Sequence, residues 1–300
     1  MRAQVTLTPT ESKKLLAKGV ASMPIVRKAL QKGMVVIHPS STSLFLVEEL
    51  TGKRPEGVWV CGIVFPKGMC ISYERQQSTY LKPPDLGRKH DPGQFPFTWV
   101  LQKGLFQTGI PLRSLLDKMG KEDVYVKGAN AIDPEGRVGV LYATKGAGTI
   151  AKVIAASKRK GFPILLPIGT EKLIPGSLLK AAKAASRERT DVAMGIPVGL
   201  IPVPGQAITE VEAIHLCSGA ESVVISTGGL AGAEGATSLV IQGTAEKVNR
   251  ALAVIRSCKG ATLPPVHPTD CSICFYPTCH YRGKNVNEAG TVVQQPGPLF

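Results

Sequence analysis

Two groups of residues in this 300-residue chain have types and spacings suited to chemistry. The first lies in the stretch 123–160, DVYVKGANAIDPEGRVGVLYATKGAGTIAKVIAASKRK. There Asn130 and Asp133 follow a short apolar run, and Lys145-Gly146-Ala147-Gly148 precedes a helical pattern starting at Thr149. Small residues let a backbone approach a ligand closely, and a helix start offers N–H groups with no partner inside the helix. Lys145 and Lys152 add positive charge. The pattern reads as an anion pocket held by Lys145, Gly146, Ala147 and Gly148, with Asn130 and Asp133 on its rim. Asp133 and Lys145 are the candidate catalytic groups. The alternative is a pair of tight turns that need Gly and Asn for backbone reasons alone.

The second group is the segment DCSICFYPTCHY, 270–281. Cys271 and Cys274 have the spacing of a chelating pair, and Cys279 and His280 follow closely. Cys258 or His267 is the alternative fourth ligand. Thiolates with an optional imidazole suit zinc or an iron–sulfur cluster, and the sequence does not choose between them. The alternative is a set of reduced thiols in a loop.

The elements that must position these groups alternate between strand and helix. A capped helix is expected over 8–16, a second over 24–31, and a buried strand over 34–37, followed by the hydroxyl-rich turn His38-Pro39-Ser40-Ser41-Thr42-Ser43 and another helix. Ser40, Ser41 and Thr42 can present hydroxyls and amides to a phosphate, or simply cap the helix. His38 reads as turn or packing. Strands are expected around Pro66-Lys67-Gly68, where Cys61 and Cys70 look like core residues, and again over 124–126, 138–141 and 163–168. Lys172 follows the last of these. Residues 74–98 form a polar, Pro-rich stretch that reads as a lid or an insertion. Beyond 204, helix, strand, Gly-rich loop 227–235, strand and helix suggest a small α+β unit whose loop could cover the pocket.

The fold class expected is therefore α/β, a mostly parallel Rossmann-like sheet with a small α+β subdomain and a Cys-rich C-terminal segment. The expected divisions are 1–204, 205–262 and 263–300. A hydrophobic content of 43% can bury a substantial core, and the formal charge of +14 favours anionic partners. An anionic small molecule is the first expectation. Nucleic acid is weaker, because clustered aromatics and a helix-turn-helix pattern are missing. No apolar run of about 18 residues or more appears, so no membrane span is expected. The odd cysteine count and the lack of an apolar leader point to a cytoplasmic protein without a disulfide framework. A homo-oligomer is expected.

The organising stretch resembles the ribose-phosphate isomerase branch of the sugar-phosphate isomerase and CoA-transferase-like superfamily. In those isomerases a strand leads into G-A-D-E-x-D, and K-G-G-G-G later precedes a helix. The counterparts here are Gly128-Ala129-Asn130-Ala131-Ile132-Asp133 and Lys145-Gly146-Ala147-Gly148. Ser40 to Ser43 match the family's first phosphate loop, and the resemblance covers about 23–204. It implies the fold and an anionic metabolite such as a sugar phosphate or a CoA derivative. The chain departs from the family at Asn130, which replaces an acidic residue, and in the helix TIAKVIAASKRK, which lacks the family's proton-abstracting carboxylate. The resemblance thus implies the pocket without the family's base, and leaves a non-catalytic ligand sensor or interaction module as the alternative.

Overall fold

The computed structural model describes residues 1–77, 95–274, 276 and 279–293. Its chain begins with β1 (Arg2–Leu7), α1 (Pro9–Ser22), α2 (Pro24–Lys32), β2 (Met34–Ile37) and α3 (Ser41–Thr51). The hairpin β3 (Gly62–Phe65) and β4 (Gly68–Ile71) leads to the short α4 (Tyr73–Gln77), and a second hairpin is β5 (Trp99–Gln102) and β6 (Leu105–Gln107). Then come α5 (Leu112–Lys118), β7 (Val124–Val126), β8 (Ala131–Ile132), β9 (Val138–Tyr142), α6 (Gly148–Lys160) and β10 (Ile164–Pro167). The chain continues with α7 (Leu178–Ala184), β11 (Gly199–Val203), β12 (Gln206–Ile208), α8 (Glu210–Ser218), β13 (Glu221–Thr227), β14 (Thr237–Gln242) and α9 (Ala245–Cys258).

The architecture is α/β, built on a six-stranded sheet in the order β12-β10-β7-β2-β5-β6. β12, β10, β7 and β2 run parallel, whereas β5 pairs antiparallel with β2, and β6 with β5. The sheet is thus mixed. Successive residues of β2 serve opposite faces: Val35 and Ile37 pack with α1 and α3, Met34 and Val36 with α5 and α6. This is the alternation of a strand covered on both sides. Between β2 and β7 the connections diverge, since β2 leads to β5 on one side while β7 leads to β10 on the other. Open α/β sheets bind ligands at the carboxyl ends of strands at such a switch point.

One expected strand changes place. The run 138–141 becomes β9, which pairs antiparallel with β8 and β11 in a separate three-stranded sheet. The Lys145 turn therefore does not follow a strand of the main sheet. The segment 205–262 does form helix, strand, strand and helix, but it is joined to the rest at two points. β12 extends the six-stranded sheet, and β1 pairs with β14 along its whole length. Leu239, Ile241, Val248 and Ile255 share one apolar core with Val35, Ile37 and Leu165.

Local chemistry explains several ends. Thr8 and Glu11 form a reciprocal capping box on α1. Gly19 does not stop that helix, because it lets Ala213 of α8 come so close that an added Cβ would lie 2.7 Å from the Ala213 Cβ. The helical pattern over about 176–189 forms a helix only over Leu178–Ala184. Residues 78–94, most of the expected lid, lie outside the described residues. No helix among the described residues is long and apolar enough to cross a membrane.

Candidate functional site

The loops after β2, β7 and β10 meet at the carboxyl edge of the main sheet. Ser40 caps α3: its hydroxyl accepts the Ser43 N–H at 3.2 Å and donates to the Ser43 hydroxyl at 2.9 Å. An added Cβ on Gly128 would fall 2.8 Å from the Ser40 Oγ, so these two loops touch and position 128 has no room for a side chain. Lys172, after β10, donates from Nζ to the Ala129 carbonyl at 2.9 Å. Burial lowers the pKa of that lysine. Ser40, Asn130 and Lys172 thus lie on neighbouring segments at this edge, with Ser41 and Thr42 in the first turn of α3 and Thr42 buried.

Asn130 and Asp133 are engaged structurally. The Asn130 Oδ1 accepts the Leu141 N–H at 3.0 Å, tying its loop to β9. Asp133 accepts from the Arg137 N–H at 2.9 Å, the Arg137 Nε at 2.7 Å and the Leu178 N–H at 2.9 Å. Its side chain is covered by its own turn. Burial alone would raise the pKa, but the Leu178 N–H and the Arg137 contacts outweigh it and hold the carboxyl at about 2. Such a carboxylate is a poor proton acceptor at neutral pH.

Lys145 is exposed on a 3-10 turn, Lys145–Ala147, and Gly146, Ala147 and Gly148 all have positive φ. For Ala147 this left-handed conformation is strained. No side chain caps the start of α6. The turn borders the cysteine segment, since the Tyr276 hydroxyl donates to the Ala143 carbonyl at 3.3 Å.

Of the residues with perturbed electrostatics at this edge, Lys127 was not singled out in the sequence, and His38 and Cys61 were read there as packing residues. Lys127 follows β7 directly. It keeps some surface open to solvent, but its ammonium is deeply surrounded, and this desolvation lowers its pKa to about 8. No ion pair links it to a carboxylate among the described residues. His38, after β2, stacks on Phe95 with centroids 4.9 Å apart, and its Nδ1 lies 3.2 Å from the Tyr125 hydroxyl. Burial, then the charges of Lys127 and Arg75, push its pKa well below the usual value, so the imidazole is neutral. Arg75 lies over the Phe97 ring at 4.6 Å. Cys61, from before β3, is within reach of both cations, yet burial still raises its pKa. Two cations, a neutral imidazole and a thiol thus converge beside the switch point. A site of this kind can bind an anion, and an amine titrating near neutrality can also act as a base or nucleophile. The available signal in the sequence was only the position of Lys127 at a strand end.

The expected metal ligands are partly separated by the fold. All seven cysteines are free thiols, and Cys271 and Cys274 are buried. Cys258 ends α9 inside the apolar core. His267 is exposed, and its carbonyl accepts the Tyr73 N–H. His280 is exposed too, with its Nε2 3.4 Å from the Lys284 Nζ. Among the described residues no three His, Cys, Asp or Glu side chains are gathered into a ready coordination sphere.

No family model matches the chain, and no curated protein or solved structure matches it either.

Proposed function

We propose that this protein binds an anionic small molecule, phosphorylated, carboxylated or of the CoA type, at the carboxyl edge of its main sheet between β2 and β7. The observation that carries this reading is Lys127, a half-buried lysine with a desolvated ammonium and no carboxylate partner among the described residues. Desolvating a cation without a counter-charge is costly, and a bound anion would offset that cost. Arg75 and the amides at the start of α3 reinforce the positive potential. The finer architecture in this reading is a Rossmann-like sheet with a small α+β subdomain, as in the isomerase and CoA-transferase-like superfamily. The Cys-rich segment holds a thiolate-bound metal, zinc or iron–sulfur, beside the pocket. With Asp133 engaged in its turn, the family's isomerase chemistry lacks a carboxylate base here.

Ribose 5-phosphate, acetyl-CoA and inorganic pyrophosphate are suitable probes. At least one should raise the melting temperature of the wild-type protein, and Lys127→Met should remove the shift while leaving the fold intact. No shift with any of the three, or an unchanged shift in Lys127→Met, would overturn the reading.

A further inference from the structure

Lys67 sits at the tip of the β3–β4 hairpin, 204 positions before Cys271. In the fold the two side chains meet. The Lys67 Nζ donates to the Cys271 sulfur at 3.4 Å and to the Thr269 carbonyl at 2.8 Å. The Cys271 thiol faces the same carbonyl, with its sulfur 4.0 Å from the oxygen. Lys67 is 5% exposed and Cys271 6%, so amine and thiol are shut away together from bulk water.

The surrounding backbone fixes this meeting. The hairpin is laced to the cysteine segment: Ser72 bridges to Pro268, the Tyr73 N–H donates to the His267 carbonyl at 2.9 Å, and the Thr269 hydroxyl donates to the Ile71 carbonyl at 2.9 Å. The Gly283 N–H donates to the Cys271 carbonyl at 2.8 Å, and the turn that follows closes over the lysine. An added Cβ on Gly290 would fall 3.0 Å from the Lys67 Cα, so only glycine lets the chain pass there. No carboxylate among the described residues is paired with Lys67. Asp270, next to the thiol in sequence, accepts the Ser272 N–H and hydroxyl instead. Burying an ammonium without a counter-charge is costly, and any reaction that makes its nitrogen neutral relieves the cost.

We propose that Lys67 and Cys271 are the site of an oxidative modification, a covalent bridge in which one oxygen atom joins the lysine nitrogen to the cysteine sulfur. Dioxygen is the oxidant. One N–H bond and the S–H bond break, N–O and O–S bonds form, and nitrogen and sulfur each give up two electrons. One oxygen atom stays in the bridge, the other leaves as water, and the extra proton of the ammonium goes to solvent. Two equivalents of a dithiol, oxidised to its disulfide, return amine, thiol and water. A separation of 3.4 Å leaves room for a bridging atom after a small approach, whereas a direct nitrogen–sulfur bond demands a much larger one. The bridged nitrogen is weakly basic, so the unpaired buried charge disappears. A bridged Cys271 is no longer a thiolate, so the bridge and a metal held through Cys271 exclude each other. The link closes a loop of 204 positions and restricts the unfolded chain, as a disulfide does.

The test is intact mass spectrometry of the full chain, unfolded after exposure to air and compared with the same protein reduced by dithiothreitol. The air-exposed wild type should gain one oxygen and lose two hydrogens, and the dithiol should reverse both changes. Its digest should contain one linked pair of peptides joining Lys67 to Cys271, carrying the heavy isotope when the gas is oxygen-18. The bridged form should melt several degrees above the reduced form. Lys67→Arg, which keeps the charge and a donor, should show neither the mass gain nor the linked pair, and Cys271→Ser should match it. The linked pair in the wild type decides the matter even where a variant fails to fold. A loss of two hydrogens alone, with Cys271 joined to another cysteine, would overturn the bridge in favour of a disulfide. Oxygen on Cys271 without a link would overturn it in favour of ordinary thiol oxidation. An unchanged wild-type mass, or an unchanged mass gain in Lys67→Arg, would overturn it as well.

Discussion

Asp133 and Lys127 lie six positions apart in one loop region, and the fold treats their charges in opposite ways. Asp133 is surrounded by donors that stabilise its charge and hold its pKa at about 2. Lys127 has no carboxylate partner among the described residues, and burial lowers its pKa to about 8. A satisfied charge contributes to the fold and has little left to offer a ligand. A desolvated charge without a partner costs stability, which a ligand of opposite sign restores. The family motif drew attention to Asp133. The electrostatics make Lys127 the residue on which the proposed anion binding rests.

Substitutions can sharpen or break this contrast. The largest effect on binding is expected from Lys127→Met, which should weaken the affinity for a phosphorylated probe by about thirtyfold or more, as when one partner of a buried charge pair is removed. The same variant should melt higher than the unliganded wild type at neutral pH. Because the folded-state pKa of Lys127 is depressed, the penalty for its charge is fully present below about 8 and is relieved as the pH rises toward 10.5. The stability difference should therefore shrink in that window. A wild type that melts higher than the variant throughout would break the contrast.

Asp133→Asn should do the reverse. It should lower the melting temperature by several degrees and leave probe affinity unchanged, as calorimetric titration would show. A depressed carboxyl pKa contributes stability above its unfolded value of 3.8 that is lost as the pH falls toward about 2. The gap between wild type and variant should accordingly close over that acid range. Strong loss of binding in a folded Asp133→Asn would restore the residue to the site. The smallest effect is expected at Lys145, whose exposed charge is screened. Lys145→Ala should change affinity at most about fivefold, and salt should erase the difference.

The elements were more legible than the site. β2 (Met34–Ile37) and α9 (Ala245–Cys258) fall where the apolar patterns place them, because each is bounded by clear signals: Gly33 and His38-Pro39 around the strand, Thr244 before the helix. α1 runs to Ser22, past the expected end at 16, and Gly19 within it allows the close contact with Ala213. The partners of β9 could not be read either, since an apolar run of five residues does not state which sheet receives it. The site was less visible still. A lysine after a strand is ordinary until His38, Cys61, Arg75 and Phe95 close around it, and those residues come from other parts of the chain. Local pattern reports the element a residue occupies, but desolvation and convergence arise only from tertiary contacts.

The most direct test of anion binding at Lys127 is calorimetric titration of the wild type and Lys127→Met with ribose 5-phosphate, acetyl-CoA and pyrophosphate at about pH 7 and about pH 9.5, on either side of the lysine's pKa. Wild-type affinity for at least one probe should fall between the two, by at most about tenfold per pH unit above 8, while the variant stays weak at both. Equal wild-type affinity at the two pH values, matched by Lys127→Met, would contradict the assignment.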